Sequence, residues 1–311
     1  MNRKWLGAGV IAAGAVAGVW AALDWGNRYL DAFETIPHDQ DAPGNFVRVG
    51  DGWHIHYTVQ GEGAPLVLIH GFMDSHQSWR RNVDFWAKSH RVYAIDALGF
   101  GASERVRAPI YTLKLQARVL SEFFQTLNIP SAAVIGHSMG GALACQFAYD
   151  FPDLVHKLVL IAPATYLYGS VPSDSLRPVP RRLTRGVLGI YEKFQGDSPT
   201  ALNSAYGDPQ RITQDARQFR NRMMHIHGTH DALISMSKSK REANVPEGLN
   251  QIKIPALIIW GDCDHILPPA HALLHRRDLP NARVEFVEGA GHIPHEEEPE
   301  YVNHLVENFL K

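Results

Sequence analysis

"AAVIGHSMGGALACQFA", residues 132–148, sets a lone serine between two glycines directly after an apolar run. Ala133, Val134 and Ile135 suit a buried strand, whereas Ala142, Leu143, Ala144, Phe147 and Ala148 read as an apolar helix, so Ser138 falls on the turn between them. A turn that sharp strains the backbone and brings neighbouring chain close; Gly136 and Gly140 remove the Cβ atoms that would clash. The helix would begin at Met139, where free backbone N–H groups carry partial positive charge. The pattern is G-x-S-x-G, and it predicts a serine nucleophile standing proud of a sheet edge.

A hydroxyl is a weak nucleophile at neutral pH and requires a histidine base and an acid to orient it. Further along, the apolar run "ALIIWG" (256–261) is followed by "DCDHILP", which offers Asp262 and Asp264 as acids. The run "RVEFVEG" (283–289) is followed by "AGHIPHEEEP", where His292 sits behind two glycines in a short loop. The order is serine, acid, histidine, each after a strand.

The same alternation extends in both directions. "FVRV" (46–49) and "HIHYTVQ" (54–60), joined by Gly50-Asp51-Gly52, read as a hairpin. "PLVLIHG" (65–71), "RVYAIDALG" (91–99) and "KLVLIAP" (157–163) are further strands, with helical patterns near 78–88, 112–128, 139–151, 270–278 and 299–310. Unbroken apolar strands alternating with helices imply an α/β chain with a mostly parallel sheet covered on both faces. Residues 165–250 are far longer than a crossover needs and carry Leu183, Val187, Ile190, Tyr191 and Phe194 at helical spacing. They read as a helical cap inserted between 46–164 and 251–311, with that stripe expected to receive substrate over the carboxyl edge of the sheet.

Five motifs in order, "HGF" (70–72), "DALGFGAS" (96–103), "GHSMGG" (136–141), "WGDCDHILP" (260–268) and "GAGHIPHEEEP" (289–299), give the chain a resemblance to the α/β-hydrolase fold family from about residue 46 to the end. The resemblance implies Asp264 rather than Asp262 as the acid and His292 rather than His295 as the base. It also implies an oxyanion hole built from the backbone N–H groups of Phe72 and Met139. The branch it points to is the serine carboxylesterases and lipases of the monoacylglycerol-lipase-like kind, acting through an acyl-enzyme on acyl lipids or medium-chain esters. Carbon–carbon bond hydrolases and lactonases share the fold; the former often carry Asn before the serine, where this chain has His137. Members of the fold that only bind usually lack part of the triad, which this chain keeps whole.

Composition narrows the rest. The 311 residues carry a formal charge of −2, with no basic excess to suggest a nucleic-acid partner. The two cysteines, Cys145 and Cys263, form no disulfide framework. "HIH" (54–56) and "HIHGTH" (225–230) lack further ligands at recognisable spacing, so neither a metal nor another cofactor is expected. Residues 5–23, "WLGAGVIAAGAVAGVWAAL", run nineteen positions without a charge behind Arg3 and Lys4. Residues 1–30 therefore read as a membrane anchor, or as a cleaved signal leading to secretion or the periplasm, with 31–45 as a linker. An anchor with its amino end cytoplasmic would place the catalytic domain on the non-cytoplasmic side.

Overall fold

The computed structural model describes residues 3–106, 111–167, 180–195, 200–239 and 248–311. Its centre is one eight-stranded sheet: β1 (Asn45–Val49), β2 (Trp53–Gln60), β3 (Ala64–Ile69), β4 (His90–Ile95), β5 (Ala132–His137), β6 (Val155–Ile161), β7 (Ala256–Gly261) and β8 (Ala282–Val287). The spatial order is β1-β2-β4-β3-β5-β6-β7-β8. The expected hairpin pairs β1 with β2, and β2 meets β4 antiparallel; every other pairing is parallel. Parallel pairing gathers the loops after β3, β4, β5, β7 and β8 at one edge, where the sequence motifs lie.

Period-two alternation builds the two cores. Val67, Ile69, Val134, Leu158, Leu160 and Ile258 enter one buried cluster, and their neighbours Leu66, Leu68, Ala133, Ile135, Val159, Ile161, Leu257 and Ile259 enter the other. Helices α3 (Leu113–Thr126) and α4 (Met139–Asp150) cover the first face with Phe123, Phe124 and Phe147. The segment expected to be helical near 78–88 is instead a 3-10 turn, His76–Trp79, followed by the single turn α2 (Val83–Trp86). The break lets Trp79 and Trp86 both reach the second cluster, while the Asn82 amide between them bonds the His295 carbonyl at 3.1 Å and Asn303 Oδ1 at 2.9 Å.

Between β6 and β7 lie α5 (Arg181–Gln195), α6 (Thr200–Ala205), α7 (Gln214–Met224) and α8 (Thr229–Ser239). After β7 come α9 (His271–Asp278), α10 (Pro294–Glu297) and α11 (Pro299–Leu310).

The amino terminus corrects the sequence expectation. Helix α1 spans Arg3–Phe33, yet no helix among the described residues is long and apolar enough to cross a membrane. Eleven of the nineteen residues in 5–23 are Ala or Gly, which carry little apolar surface. The expected anchor, the membrane partner and the non-cytoplasmic placement drawn from it therefore fall. The helix continues through the polar stretch that follows and packs on α5. There Gly26, Gly186 and Gly189 bring the two backbones together so closely that a Cβ on Gly189 would lie 1.9 Å from the Gly26 carbonyl oxygen. Asn27 donates to the Arg182 carbonyl at 2.9 Å, and Arg185 pairs with Asp31 at 2.9 Å. Buried Glu34 accepts from the backbone N–H and Nδ1 of His230, each at 2.7 Å. Burial alone would raise the Glu34 carboxyl, but the His230 bonds and charge and the Gly228 amide hold it below its usual value. For His230 burial pulls downward, and the Glu192 and Glu34 carboxylates outweigh it and hold the imidazole above its usual value.

Candidate active site

Ser138 occupies the turn between β5 and α4 with φ 51° and ψ −114°, a conformation that side chains other than glycine rarely adopt. The flanking glycines are required by close approach: a Cβ on Gly136 would lie 2.3 Å from the Gly140 carbonyl oxygen, and one on Gly140 would lie 2.3 Å from that of Ile69. The turn is pinned by the Ser138 N–H on the Ile161 carbonyl at 2.9 Å and by the Ala164 N–H on the Ser138 carbonyl at 2.9 Å.

The structure brings Ser138, His292 and Asp264 together. His292 Nε2 lies 2.9 Å from Ser138 Oγ, and its Nδ1 lies 2.8 Å from Asp264 Oδ2. The aspartate is held on every side: Oδ1 accepts the Ile266 and Leu267 amides at 2.8 and 2.9 Å, and Oδ2 also accepts the Trp260 indole N–H at 3.0 Å. Asp262 is exposed and instead accepts the Gly289 amide at 2.7 Å. His295 is buried beside Trp79 with Nε2 3.0 Å from Ser78 Oγ, and burial pushes it down to about 3, which keeps it neutral.

The Phe72 and Met139 amides meet no protein acceptor among the described residues. The first is aimed by His70, which in the sequence stood out only as part of a motif. His70 Nε2 accepts the Ala97 N–H at 3.0 Å, so Nδ1 carries the proton and donates to the Gly71 carbonyl at 2.7 Å. In a trans peptide the carbonyl and the following N–H point opposite ways, so this bond turns the Phe72 N–H away from His70. Burial lowers His70, which favours the neutral ring that this pattern needs. His137 is fully buried and held neutral in the same way; its Nε2–H donates to the His292 carbonyl at 2.9 Å.

The cap stripe is not brought to the triad. Helix α5 lies against α1 with Ile190 beside Gly26, Leu183 is half-buried, and Val187, Tyr191 and Phe194 are 57%, 53% and 81% exposed. The two histidines of the "HIH" motif lie on one face of β2 but differ in burial. His54 is partly exposed near Glu104, whereas His56 is buried with Nδ1 2.8 Å from Asp96 Oδ2. His76 Nδ1 also reaches Asp96, at 3.0 Å, and the three side chains could approach one ion, their ligand atoms lying within 4.8 Å. Asp96 is already spoken for: it also accepts the His76 and Ala102 amides at 2.5 and 2.7 Å and so braces the "DALGFGAS" loop.

A family model described as the alpha/beta hydrolase fold matches residues 64–299. The chain belongs to that family. Among curated α/β-hydrolase relatives, a 2-hydroxy-6-oxononadienedioate/2-hydroxy-6-oxononatrienedioate hydrolase of Paraburkholderia phymatum is 32% identical over 291 residues, 89% of this chain and 99% of its own. Among solved structures, an esterase from Exiguobacterium antarcticum superposes with a TM-score of 0.71 at 21% identity, covering 86% of this chain and 100% of its own. A membrane phospholipase A superposes with a TM-score of 0.70 at 23% identity, covering 100% of this chain and 98% of its own. These two likenesses speak for the fold. The monoacylglycerol-lipase-like branch finds no particular support among them.

Proposed function

We propose that this α/β-hydrolase cleaves carboxylic esters through an acyl-enzyme on Ser138. The observation that carries the reading is the single imidazole of His292 set between Ser138 Oγ at 2.9 Å and Asp264 Oδ2 at 2.8 Å. His292 takes the hydroxyl proton as Oγ attacks the ester carbonyl, and Asp264 holds the tautomer and balances the imidazolium. The Phe72 and Met139 amides stabilise the tetrahedral oxyanion, aided by the amino end of α4. His292 then protonates the departing alkoxide, which leaves as the alcohol, and water repeats the cycle to release the acid and restore Ser138.

A second reading is favoured by the Paraburkholderia relative, whose name describes hydrolysis of a dienoic oxo-acid and whose full length aligns here. The same triad would then release a carbon leaving group. Against it stands His137 in the place where such enzymes often carry Asn.

The test is a panel of p-nitrophenyl esters from C2 to C16, a monoacylglycerol, and 2-hydroxy-6-oxononadienedioate, assayed on the wild-type chain and on Ser138→Ala. Ester turnover that falls by several powers of ten in the alanine variant supports the proposal. Turnover of the dienedioate alone selects the second reading, and an alanine variant retaining more than a few per cent of the activity refutes both.

A further inference from the structure

The loop that carries His292 is held by the cap as well as by its own helix. The His292 N–H donates to the carbonyl of Ala205, at the end of α6, at 2.7 Å. One residue earlier, the Gly291 N–H donates to Glu297 Oε1 at 2.7 Å, and the other oxygen of that carboxylate, Oε2, accepts the cap's Gly207 N–H at 2.9 Å. Glu297 is 7% exposed, so the bridge is shielded from water. Gly207 and Gly291 meet backbone to backbone: a Cβ on Gly207 would lie 2.4 Å from the Gly289 carbonyl oxygen, and one on Gly291 would lie 2.4 Å from the Gly207 nitrogen. The cap reaches the neighbouring structure too. Tyr206 Oη donates to Glu296 at 2.8 Å, and Arg220 of α7 reaches Glu296 at 3.0 Å and Asp74, just past Phe72, at 3.1 Å.

Resting on the triad reading above, we propose that Glu297 is a positioning residue whose carboxylate, bridging Gly291 to Gly207, makes the position of the cap set the position of the His292 base. A substrate that shifts the 205–207 segment would therefore shift the imidazole relative to Ser138 Oγ, so that occupancy of the cap is read directly by the proton acceptor. Misplacement on the order of 1 Å at a reacting group lowers rate by about 100-fold, which is the scale on which such a coupling acts.

The test uses the full chain and two substitutions that touch neither Ser138 nor His292. Glu297→Gln keeps one acceptor and turns an amide N–H toward the other donor, which opens one side of the bridge. Gly207→Ala inserts the Cβ that the contact excludes and opens it from the cap side. Each variant is assayed for p-nitrophenyl butyrate hydrolysis and for the rate at which a fluorophosphonate labels Ser138. In labelling, Oγ bonds to phosphorus, fluoride leaves and His292 takes the proton. The expected result is a fall of about 10- to 100-fold in kcat and in labelling rate, with KM within about threefold. The double variant should lose no more than the worse single one, since both open the same bridge. A purely structural role would lower the melting temperature and leave kcat per folded molecule unchanged. Wild-type kcat and labelling in folded Glu297→Gln overturn the proposal, as does multiplication of the two losses. If Glu297→Gln does not fold, Gly207→Ala decides alone, and wild-type kcat there overturns the proposal. A wild-type chain that the phosphonate does not label would defeat the triad reading itself, and the coupling with it.

Discussion

Replacing Asp264 by asparagine tests the orientation of the base with almost no change of volume. Two backbone amides, from Ile266 and Leu267, converge on Oδ1 at 2.8 and 2.9 Å, so the one carbonyl oxygen of the substituted side chain is drawn there. Its NH2 group then takes the Oδ2 position, facing the Trp260 indole N–H and His292 Nδ1. A donor at that point forces the imidazole into the tautomer with its proton on Nε2, which cannot accept a proton from Ser138. A wrong tautomer with intact geometry lowers kcat by about 10⁴, or roughly 5.4 kcal/mol of transition-state stabilisation. The buried Trp260 N–H, left facing another donor, should lower stability by about 1–3 kcal/mol. Asp262→Asn is the control, since its side-chain oxygen can still accept the Gly289 amide and activity should stay within a few-fold. The assay is kcat/KM on p-nitrophenyl acetate together with thermal melting of each variant. Comparable losses at 262 and 264, or a folded Asp264→Asn enzyme keeping a tenth of its activity, would refute the assignment.

His70→Ala frees the Gly71–Phe72 peptide and should lower kcat by about 100-fold with KM little changed, the loss expected when one oxyanion donor goes astray; an unchanged kcat would show that the Phe72 amide does not act. The α1–cap junction should depend on pH through Glu34 and His230. The raised imidazole contributes stability that is complete below the usual imidazole value of 6.5 and is lost as pH rises through its folded value. The lowered carboxyl contributes stability that is complete above the usual glutamate value of 4.5 and is lost as pH falls through its folded value. The junction should therefore be firmest between about pH 4.5 and 6.5. Hydrogen exchange of α1, corrected for intrinsic rates, should be slower at pH 6 than at pH 9, and equal protection would count against the pairing.

Much of the candidate site is legible in the sequence because its constraints are local. A serine forced to φ 51° with carbonyl oxygens 2.3 Å from where glycine Cβ atoms would stand demands G-x-S-x-G in the sequence itself, whatever the rest of the chain does. The buried parallel strands were legible for a similar reason, since alternate residues feed opposite cores and both must be apolar. The sequence by itself leaves two aspartates of one loop as candidate acids, and the family resemblance points to Asp264. In space they differ plainly, because Asp264 turns inward under Trp260 while Asp262 ties an exposed amide.

Other features belong to the tertiary structure alone. An amphipathic stripe states that one face of a helix will be covered, not by what, and the glycines that let α5 seat against α1 carry no apolar signal to announce it. The apolar stretch before Asp24 likewise reads as an anchor by its lack of charge, whereas no helix among the described residues is long and apolar enough to cross a membrane. Glu297 reads in sequence as one acid in a run of three, and Ala205 and Gly207 as unremarked cap residues far away along the chain. Only folding brings that carboxylate between two glycine amides beside the base, because hydrogen bonds across such a separation depend on where whole elements dock rather than on any neighbour in the chain.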